Sequence, residues 1–251
     1  MKITAIKTRK IKPPKDKIWD ILEKAAKSLK ENSIFCIASK VVAISEGRCI
    51  PISDYPHKDE LVKKEADKYL ERNLTPHSWM MHTLKNNLLI GSAGIDESNG
   101  DGFYILWPEN PEKSAKEIYE FLREKSGLKN IGVIITDSHS IPLRRGLVGI
   151  SLAHFGFEPL KDYMGEKDLF GRELIYSMSN IPDSLAAASV FAMGEGAEQT
   201  PIAIIEDLNG MVKFTDKKWK PEKQNSDFKI KPEEDLYAPF LTSVPWKKSH
   251  H

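Results

Sequence analysis

The order of short apolar runs and helical patterns is the feature that most constrains the fold of this chain. Residues 131–136 and 201–206 each have the length and composition of a buried strand. Residues 15–32 carry apolar side chains at helical spacing, and residues 110–127 begin with an Asn-Pro pair that suits a helix start. Because strands and helices do not alternate strictly, the sequence predicts an α+β fold with a large mixed β-sheet and flanking helices.

Shorter segments complete this pattern. Residues 34–43, with the segment that follows the turn at residues 45–48, predict a strand pair. A charged helix is predicted for residues 59–72, and a strand region for residues 84–93. Residues 183–193 are rich in Ala and Ser, which predicts a tightly packed helix.

The composition of the chain changes near residue 208. We predict a catalytic domain over residues 1–208, as one unit or as two interleaved subdomains, since 251 residues suffice for one large domain or two small ones. Residues 209–251 are polar, lysine-rich and interrupted by prolines, which predicts an extension that wraps the surface. His250 and His251 are typical of a tag remnant and are left out of the fold prediction.

Composition argues against several functions. The net charge of +1 argues against nucleic acid as the main partner. No apolar run approaches the roughly 20 residues that span a bilayer, and the first residues alternate like a strand, so neither a membrane span nor a signal peptide is predicted. Cys36 and Cys49 lie beside strand-like residues without metal-ligand spacing, which predicts buried, reduced thiols and a cytoplasmic location.

Three acidic residues stand beside predicted turns. Asp96 lies in the segment GIDESN, Asp137 in IITDS and Glu195 in MGEG, and each segment follows an apolar or small-residue run. Hard cations such as Mg²⁺ take oxygen ligands, usually one or two carboxylates together with substrate phosphates. The pattern therefore predicts a divalent-metal site in a nucleotide-using enzyme.

Each acid also has a simpler interpretation. Asp96 suits a turn on composition alone, Asp137 suits a turn or an N-cap after a strand, and the glycines beside Glu195 suit a helix C-cap. The sequence contains neither a GxGxxG motif nor a Walker loop. Spacing alone therefore leaves the class of enzyme open.

Taken in order, these segments resemble the coenzyme F420-0:L-glutamate ligase family of γ-glutamyl ligases. The resemblance runs from Ser39 to about residue 205. It is carried by five motifs: SKVV (39–42) with SEGR (45–48), AGID (93–96) with SN (98–99), ITD (135–137) with RRG (144–146), KDLFGREL (167–174) and MGEG (193–196). The family implies a large mixed sheet, a homodimer, and a ligase that uses GTP or ATP with two Mg²⁺ or Mn²⁺ ions to add L-glutamate to an acceptor carboxylate. A monovalent cation is a further candidate cofactor.

The resemblance also implies roles for individual residues. Asp96 and Asp137 correspond to ligands of one metal ion, and Ser138 and Glu195 to ligands of a second. The turn at residues 10–13 is a weaker match to another nucleotide-binding turn. Nucleotide contacts are implied for Ser39, Lys40, Asn99, Met193, Gly194, Gly196, Ala197, Glu198, Gln199 and Thr200.

The chemistry of amide formation explains these residue types. A carboxylate is a poor electrophile, so the acceptor must first take the γ-phosphoryl group and become an acyl phosphate, which the amine of glutamate can attack. Metal ions held by the three acids would neutralise the repulsion between the anionic substrates. Arg145, with Arg144 and Arg172, offers a guanidinium fork for a carboxylate or phosphate, or a solvated surface charge. His139 is a candidate general base, or a polar loop residue.

The chain differs from the better-known members of the family in loops that are suited to binding the acceptor. Ile44 stands where a lysine is usual, residues 138–142 replace the usual threonine and Gly-Arg, and Glu166 stands at a basic position. The acids are retained while the loops differ, and residues 8–14 resemble a branch associated with folate metabolism. A folate is therefore the favoured acceptor, with the deazaflavin coenzyme as the alternative. A metal-dependent phosphohydrolase and a non-catalytic nucleotide-binding protein are the alternatives from other classes.

Overall fold

The structure is a computed structural model that describes residues 1–215 and 228–249. The expectations for His250 and His251, and for the part of the extension at residues 216–227, lie outside the described residues. The strands are β1 Lys2–Ile6, β2 Ser33–Ala38, β3 Cys49–Pro51, β4 Lys68–Tyr69, β5 His82–Lys85, β6 Leu88–Gly91, β7 Phe103–Ile105, β8 Ile131–Ser140, β9 Leu147–Phe155, β10 Leu160–Asp162, β11 Met178–Asn180, β12 Ile202–Glu206 and β13 Lys247–Lys248. The α-helices are α1 Trp19–Ala26, α2 Ser39–Glu46, α3 Lys58–Glu65, α4 Pro111–Ser126, α5 Ile181–Met193 and α6 Ala238–Leu241.

The largest sheet has five strands in the order β1-β12-β2-β8-β9. β2 and β8 run parallel, whereas the other neighbouring pairs are antiparallel. Helices α1 and α4 pack against one face of this sheet, and α5 packs against the other. The mixed sheet with flanking helices confirms the predicted α+β fold.

Strand β2 shows why this sheet is buried on both faces. Phe35 and Ile37 belong to the core shared with α1 and α4, whereas Ile34 and Cys36 belong to the core under α5. Since successive residues of a strand point to opposite faces, a strand between two helical layers needs a continuous apolar run. Each large apolar side chain that is fully buried contributes on the order of 1.5–3 kcal/mol.

A smaller antiparallel sheet, in the order β13-β4-β5-β6, packs with α3 around a separate core. Leu61 and Val62 of α3 meet Met81 in this core. Ala93 and Ile95 are buried in the same core, so this unit carries the segment that leads into Asp96. The segment that leads into Asp96 is therefore held by this second core, whereas Asp137 lies on β8 of the five-stranded sheet.

The predicted strand pair at residues 34–43 is wrong. β2 ends at Ala38, and α2 begins at Ser39. Val41 and Ile44 are buried on the inner side of this helix, and the apolar run is too short to reveal the change from strand to helical period. Strand β3 pairs with β7 instead of β2.

Two further boundaries differ from the sequence prediction. The charged helix predicted for residues 59–72 ends at Glu65, and residues 68–69 form β4. The strand region predicted for residues 84–93 is a hairpin of β5 and β6, because Asn86 and Asn87 turn the chain with φ values of 52° and 59°. Asparagine tolerates this left-handed conformation better than most residues.

The expectation that Asp137 follows a strand is also wrong. Asp137 lies inside β8, which continues to Ser140 and pairs with β9. The register of this pair shifts between Ile135 and Thr136. A bulge of this kind re-aims the side chains that follow it, and bulges are frequent beside functional sites.

The described part of the C-terminal extension contacts both sheets. The ring of Phe228 lies 5.6 Å from that of His154 on β9, and Lys229 forms an ion pair with Glu112 at the start of α4. Strand β13 pairs with β4 at the edge of the smaller sheet. Within residues 1–215 and 228–249, no helix is long and apolar enough to cross a membrane. Cys36 and Cys49 are buried free thiols, as predicted.

Candidate active site

A cavity of about 720 Å³ opens at one edge of the five-stranded sheet. Strand β2 ends at this edge, and the parallel strand β8 passes it with Asp137 and Ser138 before it ends at Ser140. Strand β12, which is antiparallel to β2, begins there. Strand β1 also ends at this edge, because Ile6 pairs with Ile202 at the start of β12. Residues of four strands, or of the segments beside them, therefore meet at one place.

The cavity brings together residues that are far apart in the sequence. The segment after β1 contributes residues 8–13, and the start of α2 contributes Ser39 and Lys40. The loop before β7 contributes Asp96 and Asn99. The remaining lining residues that were predicted as site residues are Asp137, Ser138, Met193, Gly194, Glu195, Gly196, Ala197, Glu198, Gln199 and Thr200.

Lys40 and Asp96 form an ion pair on the wall of this cavity. Lys40 Nζ lies 2.5 Å from Asp96 Oδ2, and it also donates to the backbone oxygen of Ser98 at 2.8 Å. Asp96 Oδ1 accepts hydrogen bonds from the backbone N–H and the hydroxyl of Ser98, each at 2.8 Å. Burial opposes ionisation of Asp96, but the hydrogen bond and charge of Lys40 and the Ser98 donors outweigh it and hold the pKa below its usual value.

Asp137 lies deeper than Asp96, and its carboxylate is held by two donors. Trp107 Nε1 donates to Asp137 Oδ2 at 2.5 Å, and the backbone N–H of Ser138 donates to Oδ1 at 2.9 Å. Burial raises the pKa of Asp137 to about 6, and the negative charge of Asp96 acts in the same direction. The two hydrogen bonds and the charge of Lys40 reduce this shift without cancelling it.

The loop after α5 is held over the cavity by its own side chains. Gly196 N donates to Glu198 Oε2 at 2.8 Å, and Thr200 Oγ1 donates to the backbone oxygen of Met193 at 2.5 Å. Gly194 has φ +82°, and a Cβ atom there would lie 2.5 Å from the Glu198 carboxyl carbon. Glycine is therefore required at position 194, both by the backbone conformation and by the close approach.

This loop also reaches the two other acidic segments. Ser138 Oγ donates to Glu195 Oε2 at 3.2 Å, and Asn99 Nδ2 donates to the backbone oxygen of Gly196 at 3.1 Å. The three predicted acids thus lie around one cavity, joined through Ser138 and Asn99. The hydrogen bonds give the rim a defined geometry across three separate segments.

The cavity also carries groups that are suited to an anion. The amino-terminal end of α2 lies at the cavity, where unpaired backbone N–H groups and the helix dipole favour negative charge. Lys10, Lys12 and Lys40 line the same space. Arg9 lines it too, but its guanidinium already binds Asp16 and Asp20, which raise its pKa and fix its side chain.

The residues present also suit a divalent cation. Asp137 is buried beside a second carboxylate, and a bound cation would relieve the cost of its charge. The Ser138 hydroxyl and the Glu195 carboxylate add oxygen donors of the type that Mg²⁺ and Mn²⁺ take. Among the described residues, no three His, Cys, Asp or Glu side chains are grouped closely enough to hold a metal ion on their own. The metal assignments stay predictions.

Two residues predicted as catalytic lie outside the lining of the cavity. His139 is on β8 two residues beyond Asp137, where burial lowers the pKa of its imidazole and nearby Asp183 partly restores it. Arg145 is exposed in the turn between β8 and β9, as is Arg144. Arg172 is exposed in the segment between β10 and β11. These side chains are not brought together with the acids within this chain.

Trp107 was missed by the sequence analysis. Its indole contacts Asp137, and it is one of the largest fully buried side chains, only 1% exposed. The single sequence signal is an aromatic residue with a polar N–H at the end of the apolar run after β7, which is equally typical of a core residue. The lining role of residues 8–13, in contrast, was partly predicted from the turn at residues 10–13.

Acidic and basic side chains from separate segments line one open cavity at the strand ends, a setting in which small, charged molecules can bind. A family model described as F420-0:γ-glutamyl ligase matches residues 5–207. The chain is 32% identical over 217 residues to a coenzyme F420:L-glutamate ligase of Methanopyrus kandleri, covering 80% of this chain and 84% of the relative. It is 36% identical over 201 residues to the enzyme of that name from Methanococcus maripaludis strain C7, covering 75% and 80%. It is 30% identical over 215 residues to the enzyme of that name from Haloarcula marismortui, covering 78% of this chain and 83% of the relative.

The chain belongs to the F420-0:γ-glutamyl ligase family. It is accordingly a ligase that forms a peptide-type bond, in agreement with the enzyme class expected from the five motifs.

Proposed function

We propose that this protein is a nucleotide-dependent γ-glutamyl ligase that joins L-glutamate to an acceptor carboxylate through an acyl phosphate. One observation carries the proposal: a single cavity is lined by the three acids Asp96, Asp137 and Glu195 and also by Lys40 and the start of α2. Such a cavity suits a triphosphate that must lie beside a second anion.

The reaction has two steps. An oxygen of the acceptor carboxylate attacks the γ-phosphorus, the bond to the β-phosphate oxygen breaks, and nucleoside diphosphate leaves. The uncharged amine of glutamate then attacks the acyl carbon, the amide C–N bond forms, and inorganic phosphate leaves with the bonding electron pair. The chain contributes binding and alignment, which supply most of the acceleration in phosphoryl transfer.

Divalent metal ions, held by Asp96, Asp137, Ser138 and Glu195, would neutralise charge on the phosphates and the acceptor. Lys40 reaches the same space and is suited to the triphosphate as a point charge. The loop at residues 193–200 offers backbone N–H groups that can approach a phosphate closely, because two of its residues are glycine. GTP and ATP are both candidate nucleotides.

Two acceptors are supported by different observations. The relatives compared above are named for coenzyme F420, which favours a deazaflavin acceptor. The changed segment at residues 138–142 suggests another acceptor, and the resemblance of residues 8–14 to a branch associated with folate metabolism favours a folate. Both acceptors therefore belong in the assay.

The protein is also proposed to act as a homodimer. Apolar side chains are exposed on the β8–β9 turn, on the segment before β11 and on α5. Leu143 is 96% exposed, Phe170 95% and Phe191 90%, and association with a second copy would remove such side chains from water. A second copy would cover them and bring Arg145 and Arg172 into a buried setting.

The decisive assay combines purified protein with Mg²⁺, L-glutamate, GTP or ATP, and either acceptor, and detects added glutamyl units by mass spectrometry. Product is expected with one acceptor. Asp96→Asn is expected to reduce its formation more than about 100-fold, since even outer partners of metal ligands are worth 10–100-fold. The exposed Asp54→Asn is the matched control.

Two outcomes would contradict the ligase. Nucleotide hydrolysis at a rate that glutamate and acceptor leave unchanged would identify a phosphohydrolase. Nucleotide binding without any turnover, and unaffected by Asp137→Asn, would identify a non-catalytic binding protein.

A further inference from the structure

Trp107 connects Asp96 and Asp137, which reach the cavity from different parts of the fold. Its indole N–H donates to Asp137 Oδ2 at 2.5 Å. Two residues earlier, Ile105 exchanges both backbone hydrogen bonds with Asp96, at 2.8 and 2.9 Å. The short segment 105–107 therefore holds Asp96 through its backbone and Asp137 through a side chain.

The turn before Asp96 also abuts this indole. A Cβ atom on Gly94 would lie 2.1 Å from Trp107 Nε1, so only glycine allows the contact. Gly94 has φ +68°, a conformation that glycine adopts readily. The indole ring thus lies in contact with both the backbone that leads to Asp96 and the carboxylate of Asp137.

An ionic network of Arg48, Lys85 and Glu65 contacts the backbone and the ring of Trp107. Arg48 Nε donates to the backbone oxygen of Trp107 at 3.2 Å, and Lys85 Nζ lies 5.5 Å from the centre of the ring. Arg48 and Lys85 both bind Glu65 Oε2 at 2.9 Å. Rotation of the indole away from Asp137 would break its packing against these groups, so the donor is fixed in place.

We infer that Trp107 is a positioning residue that sets the orientation of the Asp137 carboxylate and its separation from Asp96, so that both acids can hold one divalent cation. The inference rests on the proposed function, because the cation belongs to that site. Each oxygen of Asp137 accepts one hydrogen bond, Oδ2 from Trp107 and Oδ1 from the Ser138 N–H, so the carboxylate is held in one orientation while each oxygen keeps a lone pair for a ligand. Outer partners of this kind orient metal-ligating groups.

The test measures Mn²⁺ binding to the nucleotide-free protein by electron paramagnetic resonance. Trp107→Phe removes the donor and keeps an aromatic ring, and it is expected to weaken Mn²⁺ binding by roughly 10–100-fold. Trp79→Phe is the matched control, because Trp79 is 76% exposed, and it should bind Mn²⁺ like the wild type. Saturating Mn²⁺ should restore kcat in Trp107→Phe, which a general structural defect would not allow.

Three results would overturn the inference. Unchanged Mn²⁺ affinity in folded Trp107→Phe would refute the positioning role alone. Loss of kcat that saturating Mn²⁺ does not restore would identify a merely structural residue. Absence of Mn²⁺ binding to the wild type would refute the proposed metal site, and this inference with it.

A measurement on the wild type covers the case in which Trp107→Phe does not fold. The indole N–H resonance of Trp107 can be assigned by replacing the other tryptophans one at a time with Phe. Added Mg²⁺ should shift this resonance and leave that of Trp79 in place. A Trp107 resonance that Mg²⁺ does not move would overturn the inference.

Discussion

The ammonium group of Lys40 offsets part of the negative charge of the acids in the cavity. Its ammonium group binds Asp96 and the backbone of Ser98, and it lies at the start of α2 where an anion would bind. A divalent cation on Asp96 would compete with this ammonium group for the same oxygen atoms. A triphosphate would attract it away from them. At the scale of the residue, two kinds of partner therefore compete for Lys40: Asp96 and Ser98 within the chain, and the triphosphate of a bound nucleotide.

Lys40→Met should separate these two roles. Without the ammonium group, affinity for the nucleotide is expected to fall about tenfold or more, whereas Mn²⁺ should bind the nucleotide-free protein more tightly than it binds the wild type. Calorimetric titration with each ligand measures both effects. Exposed Lys27→Met serves as the control. Weaker binding of both ligands would contradict the competition.

The raised pKa of Asp137 predicts a pH dependence of stability. Because the native carboxyl holds its proton up to a pH of about 6, whereas the unfolded one loses it near 4, the metal-free protein loses stability as pH rises between these values. The size of this contribution is roughly 3 kcal/mol at most. The unfolding free energies of the wild type and of Asp137→Asn should therefore diverge from pH 4 to pH 6, in favour of the variant, and stay constant above.

Comparison with Asp137→Asn is needed because other groups titrate in the same range. Burial lowers the pKa of His154 to about 4 and also lowers that of His139, and both effects increase stability as pH rises. These histidines remain in both proteins, so their contributions cancel in the difference. A difference that does not change with pH would show that the native state does not raise the pKa of Asp137.

At the scale of the element, the long segments were predictable and the short ones were not. Helix α4 was predicted from its Asn-Pro start, and the Asn110 side chain does accept the capping hydrogen bond from Lys113 N. Helix α2 was missed because its apolar run continues directly from β2, so the sequence shows no change of period. The boundary of β8 was missed because its last residues are polar, and their pairing with β9 is a tertiary effect.

Gly194 sets the shape of the loop between α5 and β12, and its replacement tests the loop as an element. Gly194→Ala forces a Cβ atom against the Glu198 carboxylate in a left-handed backbone conformation, so a cost of roughly 1–3 kcal/mol and a displaced loop are expected. Nucleotide binding should weaken at least tenfold by titration calorimetry.

Gly165→Ala is the matched control for that loop. Gly165 has φ +83°, but a Cβ atom there would meet no other atom within 4 Å. The Gly165→Ala variant should be less stable than the wild type but should bind the nucleotide with the same affinity. Equal nucleotide affinity in the two variants would show that the loop does not contact the nucleotide.

At the scale of the molecule, the candidate site was predicted largely through the order of its motifs. Asp96, Asp137 and Glu195 each suit a local turn when taken alone, and only the ordered resemblance placed them in one site. The cavity brings them together, but Trp107 was missed, because an aromatic residue at the end of an apolar run is equally typical of a core residue. Arg145 was assigned from its motif, and this chain alone does not bring it to the cavity.

The exposed apolar side chains predict that the molecule forms a dimer, and this prediction can be tested. Phe170→Asp, combined with Phe191→Asp, should convert a dimer into a monomer without unfolding it, because both side chains are at least 90% exposed in the single chain. Sedimentation velocity measures the change. Exposed Leu236→Asp, on the extension, is the control. A wild type that sediments as a monomer at micromolar concentration would contradict the assembly.

The hydrogen bonds around the cavity have a consequence for folding. They join residues separated in sequence by 58 positions for Lys40 with Ser98, by 97 for Asn99 with Gly196, and by 57 for Ser138 with Glu195. Contacts of such separation form only after long loops have closed, which makes them late events. The binding cavity is therefore completed only when nearly the whole chain has folded, so recovery of ligand binding during refolding should lag behind recovery of helical signal. A ligand that binds there selects the native state against every partly folded form.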